Sequence, residues 1–298
     1  MSTYSTFDSP GLLHAGIWEP DGEPAGTIVA IHGITSSHKA WLAFARELPE
    51  WRIIAPDLRG RGLSNHLEGP YGMVRHADDV AALLAHLGVE HVLPVGHSMG
   101  AFVSVVLAHR YPHLMDRLVL VDGGIPLRIP DGMDAREGIE AVLGPAAERL
   151  SRTFPSLADY EAGWRQHPAM KEWNDDMSDY VAYDLHGEPP SMHPATRYEA
   201  MAADTVDVTG DGTDLTRALD ALTLRILLLR AERGMFDQPE GLYPPGWLDG
   251  WKERVPTLEV RDIEGVNHYT IAMLPQGARV VADAVREGVA ADRAPLVE

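Results

Sequence analysis

The sequence predicts an α/β chain: a doubly wound, mostly parallel sheet with an inserted helical segment. Two observations carry this. Short apolar runs alternate with helical patterns up to about residue 125, and the alternation resumes near residue 218. Nearly continuous apolar runs of four to six residues suit parallel strands covered on both faces. They lie at residues 27–31, ending at His32-Gly33, and 52–55, ending at Pro56-Asp57. Two more lie at 91–95, before Gly96, and 117–121, before Asp122-Gly123-Gly124.

The intervening spacing predicts helices over 38–48, 75–87 and 99–110. In the second, Val80, Leu83, Leu84 and Leu87 share one face and Gly88 is a stop signal. From 126 to 217 no buried strand is evident. Helices are expected there over 135–154, 157–167 and 175–185, with Ser156 and Asp159 resembling a capping box. This stretch is rich in Trp, Tyr and Met, including Tyr160, Trp164, Met177 and Tyr180. Ordinary helix core accounts for most of them, and such a segment could also line an apolar pocket. Strands at 224–229 and 257–260 and a helix at 275–289 complete the pattern. The expected division is a core of residues 1–125 and 218–298 with a helical cap at 126–217.

Composition narrows the function. Of 298 residues, 45% are apolar and 23% charged, an ordinary globular balance. The net charge of −19 repels phosphate backbones and anionic lipid, so neither nucleic acid nor a membrane surface is an expected partner. With no cysteine, a thiol nucleophile, a disulfide framework and a Cys-based zinc site are excluded. Apolar stretches such as 226–229 fall far short of the roughly 18–20 residues that cross a bilayer. No basic segment followed by an apolar run opens the chain, so a cytoplasmic protein is the default expectation. Monomer and homodimer both stay open.

The chemistry-bearing segment is Gly96-His97-Ser98-Met99-Gly100, a Gly-x-Ser-x-Gly pattern. As a bare pattern it is common by chance. Its place between a predicted strand and a predicted helix gives it weight. A serine on a sharp strand-to-helix turn leaves no room for side chains two positions away, and Gly96 and Gly100 supply that room. The bland alternative is a glycine-bearing turn with a surface serine. A serine hydroxyl also needs a base, and histidine is the natural one near neutral pH.

With these residues in view, the chain resembles α/β-hydrolases of the esterase/lactonase type. His32-Gly33-Ile34 is similar to the family's oxyanion segment. Asp57-Leu58-Arg59-Gly60-Arg61-Gly62-Leu63-Ser64 is similar to its Asp-x-x-Gly-x-Gly-x-Ser loop. Val266-Asn267-His268-Tyr269 falls where the family's histidine is expected. The resemblance covers about residues 25–125 and 218–290. It implies Ser98 as nucleophile, His268 as base, and the backbone N–H groups of Ile34 and Met99 as oxyanion donors. His32 is expected to shape the oxyanion loop, His97 to pack, and Asp57 to anchor its loop. The third member is less settled. Many relatives carry an aspartate in a turn that here reads Ala231-Glu232-Arg233-Gly234. Asp122, directly after 117–121, is therefore favoured as the acid, with Glu232 as the alternative acid and Asp237 as a further candidate.

The expected function is a serine hydrolase cleaving an ester or lactone of a hydrophobic small molecule through an acyl-enzyme. C–C bond hydrolysis, amide hydrolysis and a non-turnover ligand-binding receptor stay open on the same scaffold. No cofactor and no metal is implied, because no dinucleotide or P-loop motif is present.

Overall fold

A computed structural model of the chain describes residues 2–128, 135–208 and 214–293. Two strands open it, β1 (Thr3–Phe7) and β2 (Ala15–Glu19). β3 (Thr27–Ile31) leads through a 3₁₀ turn at His38–Trp41 into α1 (Leu42–Glu47) and β4 (Arg52–Pro56). Next come α2 (Met73–His86), β5 (Leu93–His97), α3 (Met99–Arg110) and β6 (Arg117–Val121). The inserted segment holds α4 (Ala135–Leu150), α5 (Leu157–Arg165) and α6 (Asp175–Asp184). It continues with a small hairpin, β7 (Leu185–His186) and β8 (His193–Pro194), and then α7 (Tyr198–Thr205) and α8 (Asp214–Ala221). The chain finishes with β9 (Arg225–Arg233), α9 (Trp247–Arg254), β10 (Leu258–Asn267), α10 (Thr270–Met273) and α11 (Pro275–Arg293).

The main sheet has the order β1-β2-β4-β3-β5-β6-β9-β10. β1 pairs antiparallel with β2, and β2 antiparallel with β4. All other pairs are parallel. This is the doubly wound α/β sheet that the apolar runs predict. The runs are continuous because both faces are covered. Ile28 and Ala30 of β3 face one apolar cluster with α1 and α11, while Val29 and Ile31 face the other with α2 and α3. β6 alternates in the same way, with Leu118 and Leu120 on one side and Val119 and Val121 on the other.

Several elements differ from the sequence expectation. β1 and β2 were not expected, because β1 is a polar, mostly exposed edge strand without an apolar run. The helix expected at 38–48 is split into a 3₁₀ turn capped by Ser37 and a short α1. α9 was not foreseen, and β9 and β10 run further than their apolar stretches. The boundary expected at 217/218 falls inside α8, whose Leu215, Ala218 and Leu219 join the α3 cluster. Residues 129–134 and 209–213 of the expected insertion, and 294–298 at its far flank, lie outside the described residues. Among the described residues no helix is long and apolar enough to cross a membrane.

The inserted helices sit over the carboxyl edge of the sheet. Arg149 donates to Thr35 Oγ1 at 3.2 Å, and the Tyr183 hydroxyl donates to Asp57 Oδ2 at 2.5 Å. The Arg197 N–H donates to the Gly60 carbonyl at 2.9 Å, and Asn267 Nδ2 to the Ala169 carbonyl at 3.0 Å. Thr35, Asp57 and Gly60 follow the ends of β3 and β4, and Asn267 ends β10. Phe154, Tyr160, Trp164, Met177 and Tyr180 continue the cluster that holds Trp41 and Phe44, so this aromatic stretch is largely core.

The layers come closest where α3 begins. A Cβ on Gly100 would sit 2.0 Å from the Ile31 carbonyl oxygen, and one on Gly96 would sit 2.3 Å from the Gly100 carbonyl oxygen. Both obstacles are backbone and cannot swing aside. Gly100→Ala is therefore expected to lower unfolding free energy by about 1–3 kcal/mol through overpacking. Urea denaturation checks this; an unchanged midpoint would contradict the close approach.

Candidate active site

β5 and β6 end level: their last registered pair is His97 with Val121. Ser98 and Asp122 are each the next residue, and both turn sharply. Ser98 has φ 53° and ψ −122°, and Asp122 has φ 46°. Such conformations are costly for a residue with a side chain and persist only where the surroundings hold them. Here the Ser98 N–H donates to the Val121 carbonyl at 3.0 Å, and the Asp122 N–H to the Leu229 carbonyl at 2.8 Å. Gly123 lets the chain leave β6 against the serine turn, since a Cβ there would lie 2.2 Å from the Ser98 carbonyl oxygen.

His268 comes from two strands away. β10 loses its regular register between Ile263 and Asn267, and the chain then turns on the Asn267 side chain. Asn267 Oδ1 accepts the N–H groups of Tyr269 and Thr270, each at 3.0 Å. This turn delivers His268 Nδ1 to 2.7 Å from Asp122 Oδ2, with both residues buried. The other carboxylate oxygen accepts the Ala231 N–H at 3.1 Å. With Nδ1–H committed to the carboxylate, Nε2 is the nitrogen left to accept a proton. His97 braces the same turn, its Nε2–H donating to the His268 carbonyl at 2.7 Å. Burial, reinforced by the neighbouring His268, lowers the His97 pKa to about 3, so its ring stays neutral.

The segment after β3 lies against the serine: a Cβ on Gly33 would be 3.2 Å from Ser98 Cβ. His32 shapes it. Its Nδ1–H donates to the Gly33 carbonyl at 2.8 Å and its Nε2 accepts the Leu58 N–H at 2.9 Å. That pattern needs a neutral ring, and burial supplies one by lowering the pKa to about 4. The Met99 N–H stands at the first turn of α3, where no intrahelical acceptor exists. Neither it nor the Ile34 N–H donates to another backbone group among the described residues.

Arg61 ties this loop to the inserted helices. Its Nε–H donates to the Ile34 carbonyl at 3.0 Å, and its guanidinium lies 3.8 Å from Met99 Sδ. It pairs with Asp204 of α7 at 2.6 Å, and His76 lies 2.9 Å from the same carboxylate oxygen. Arg61, Asp204 and His76 are fully buried. Burial pushes the Asp204 pKa up, but Arg61 and His76 outweigh it and hold it at about 2.

Glu232, the alternative acid, does not reach His268. Its side chain is about half exposed, and its carboxylate accepts the Gly265 N–H at 2.7 Å and faces Arg233. Asp237 is committed to Arg233 at 2.6 Å, Lys171 at 2.5 Å and Asn267 at 3.1 Å. Asp57 anchors its loop, accepting from the His38 backbone and ring, the Leu63 N–H and the Tyr183 hydroxyl. His14, His38 and Asp57 bring possible metal-ligand atoms within 4.8 Å of one another. Because both Asp57 oxygens already accept hydrogen bonds, the trio is best read as a tie between β2 and the β4 loop. Sequence reasoning missed Arg61, Asp204, Asn267 and the bracing role of His97. Arg61 and Asn267 lie inside the quoted motifs, while nothing local marks Asp204.

Comparison with known proteins places this geometry in a family. A model of the alpha/beta hydrolase fold matches residues 26–158. The chain is 30% identical over 247 residues to 2-(acetamidomethylene)succinate hydrolase of Mesorhizobium japonicum, covering 82% of each chain. It is 36% identical over 155 residues to lipase LipV of Mycobacterium tuberculosis, a match spanning half of this chain and 57% of that protein. Several other curated relatives are matched over only 29% of their length. The crystal structure of E-2-(acetamidomethylene)succinate hydrolase superposes with a TM-score of 0.78 at 24% identity, covering 97% of this chain and all of the other. The chain belongs to the α/β-hydrolase fold family.

The buried pair makes a stability prediction. A carboxylate with a depressed folded pKa contributes stability that is complete above its unfolded value and lost as pH falls through the folded one. For Asp204 that window runs from the ordinary 3.8 down to about 2. Asp204→Ala is expected to cost about 3–5 kcal/mol at neutral pH, by leaving Arg61 buried without its partner. Asp204→Asn is expected to flatten the loss of stability across the acid window. Urea unfolding at neutral pH and along an acid series measures both; a variant as stable as the parent would contradict the pairing.

Proposed function

We propose that this chain is a serine hydrolase that cleaves an ester or lactone of a hydrophobic small molecule through an acyl-enzyme. Residues 126–217 act as the cap over its active site. The observation that carries the reading is the 2.7 Å hydrogen bond from His268 to Asp122 at the strand ends beside the strained Ser98 turn. Ser98 Oγ attacks the carbonyl carbon while His268 Nε2 takes its proton. The Ile34 and Met99 N–H groups hold the developing oxyanion. The tetrahedral intermediate collapses, the proton passes from His268 to the leaving oxygen, and the alcohol departs. Water then repeats the sequence on the acyl-enzyme, giving Nε2 one proton and the acyl carbon its hydroxyl, and the proton returns to Ser98. Asp122 keeps Nδ1 protonated throughout and stabilises the transient imidazolium. Relatives whose names are those of hydrolases and a lipase support the class of reaction.

Ser98→Ala is expected to lower kcat by several orders of magnitude with the fold intact, and a fluorophosphonate should label the parent at Ser98. Asp122→Asn should cost roughly 10³–10⁴ in kcat, because the imidazole is then held in the wrong tautomer. Glu232→Gln should stay near the parent rate. A panel of aryl esters, lactones, amides and vinylogous β-diketones measures these values and assigns the bond. Parent-like activity in Ser98→Ala overturns the mechanism, and a single burst without turnover points to a receptor instead.

A further inference from the structure

A pocket of about 180 Å³ opens between α4, α5 and the loop after β9. A cavity of about 150 Å³ accommodates a benzene ring, so one aromatic ring is a fitting load. Its walls are aromatic, with Phe154, Trp164, Phe236 and Tyr269 among them. It adjoins the candidate active site on two sides. Tyr269 follows His268, their rings 5.6 Å apart. Arg149, also in the wall, donates to Thr35, the residue after the oxyanion donor Ile34.

Charge makes the pocket unusual for this molecule. The chain carries a net charge of −19, yet among the described residues the pocket wall holds Arg149 and Arg152 and no carboxylate. Arg149 is balanced from behind by Asp184 at 3.1 Å and lies 4.6 Å from the centre of the Trp164 ring. Arg152 is different. Its guanidinium lies 5.4 Å from the centre of the Phe154 ring, and among the described residues it pairs with no acid. Among the described residues the pocket therefore offers a cation at its rim, Arg152, that no acid compensates, over an aromatic interior. In a strongly acidic molecule such a spot attracts an anionic group that the rest of the surface repels. Guanidinium groups favour carboxylates because their donors match both oxygens.

We propose that this pocket binds an aromatic carboxylate, with the ring among Phe154, Trp164 and Phe236 and the carboxylate on Arg152. The inference deepens the hydrolase reading and rests on it only in taking the occupant as part of the substrate. The substrate class becomes an ester or lactone carrying an aryl carboxylate outside the bond that is cleaved.

Benzoate and its neutral isostere benzamide serve as probes, by calorimetry and as competitors of 4-nitrophenyl acetate hydrolysis. The parent is expected to bind benzoate about tenfold more tightly than benzamide, a preference that weakens at high salt. Arg152→Gln is expected to bring the two within about threefold, and Arg152→Lys to keep most of the preference. Arg152 is exposed, so neither variant is expected to disturb folding. Equal affinity for the two probes, a preference untouched by Arg152→Gln, or saturable binding of neither probe overturns the inference. The two readings fail separately. Absence of Ser98-dependent turnover with benzoate still preferred sinks the hydrolase reading alone, whereas turnover without that preference sinks the subsite alone.

Discussion

Everything at the candidate site depends on two strands, β5 and β6, ending level and on a third, β10, running past them before its chain turns back. Ser98 and Asp122 each follow the last registered pair of β5 and β6, so the sheet ladder itself sets their spacing. His268 must cross β9 to reach Asp122, and a regular β10 would not deliver it there. The lost register after Ile263 and the Asn267 turn redirect the chain over β9. One hydrogen bond, His268 to Asp122, closes the arrangement, and its partners are buried, where such a bond is worth most. The positive φ at both Ser98 and Asp122 is local strain that the packed sheet sustains.

Buried charge then couples the sheet to the inserted helices. Arg61 spans from the Ile34 carbonyl to Asp204 on α7 without meeting solvent. A buried ion pair is a doubtful source of net stability, because desolvation offsets much of its attraction. Its cost on disruption is nevertheless large, and that makes the geometry stiff. The loop after β3 that packs against Ser98 is held by this stiffness. Tyr183 on Asp57 and Arg149 on Thr35 attach the same helices at neighbouring points of the carboxyl edge.

The neutral histidines fill a second supporting role. His32 and His97 are both buried deeply enough to lose their charge near neutral pH. Each donates from one nitrogen to a backbone carbonyl, of Gly33 and His268 respectively. Two loops that bear on Ser98 are thus held by rings that stay neutral near neutral pH.

The sequence by itself determined the parallel strands of the sheet, the serine turn and the position of the late histidine. The apolar strands were legible because both faces of a parallel sheet are buried, which leaves a run that no loop mimics. The Gly-x-Ser-x-Gly turn was legible because the close approach of Gly100 to Ile31 tolerates nothing larger. β1 escaped notice because an exposed edge strand is held by backbone hydrogen bonds and needs no apolar pattern. Between Asp122 and Glu232 the sequence offered a preference only, since both follow buried strands. Only the tertiary structure separates the two: the Glu232 carboxylate is taken up by the Gly265 N–H, while the turn after β10 brings His268 to Asp122. Asp204 was beyond reach for a related reason: its partner Arg61 is distant in sequence, and only the folding of α7 over the sheet edge brings the two charges together.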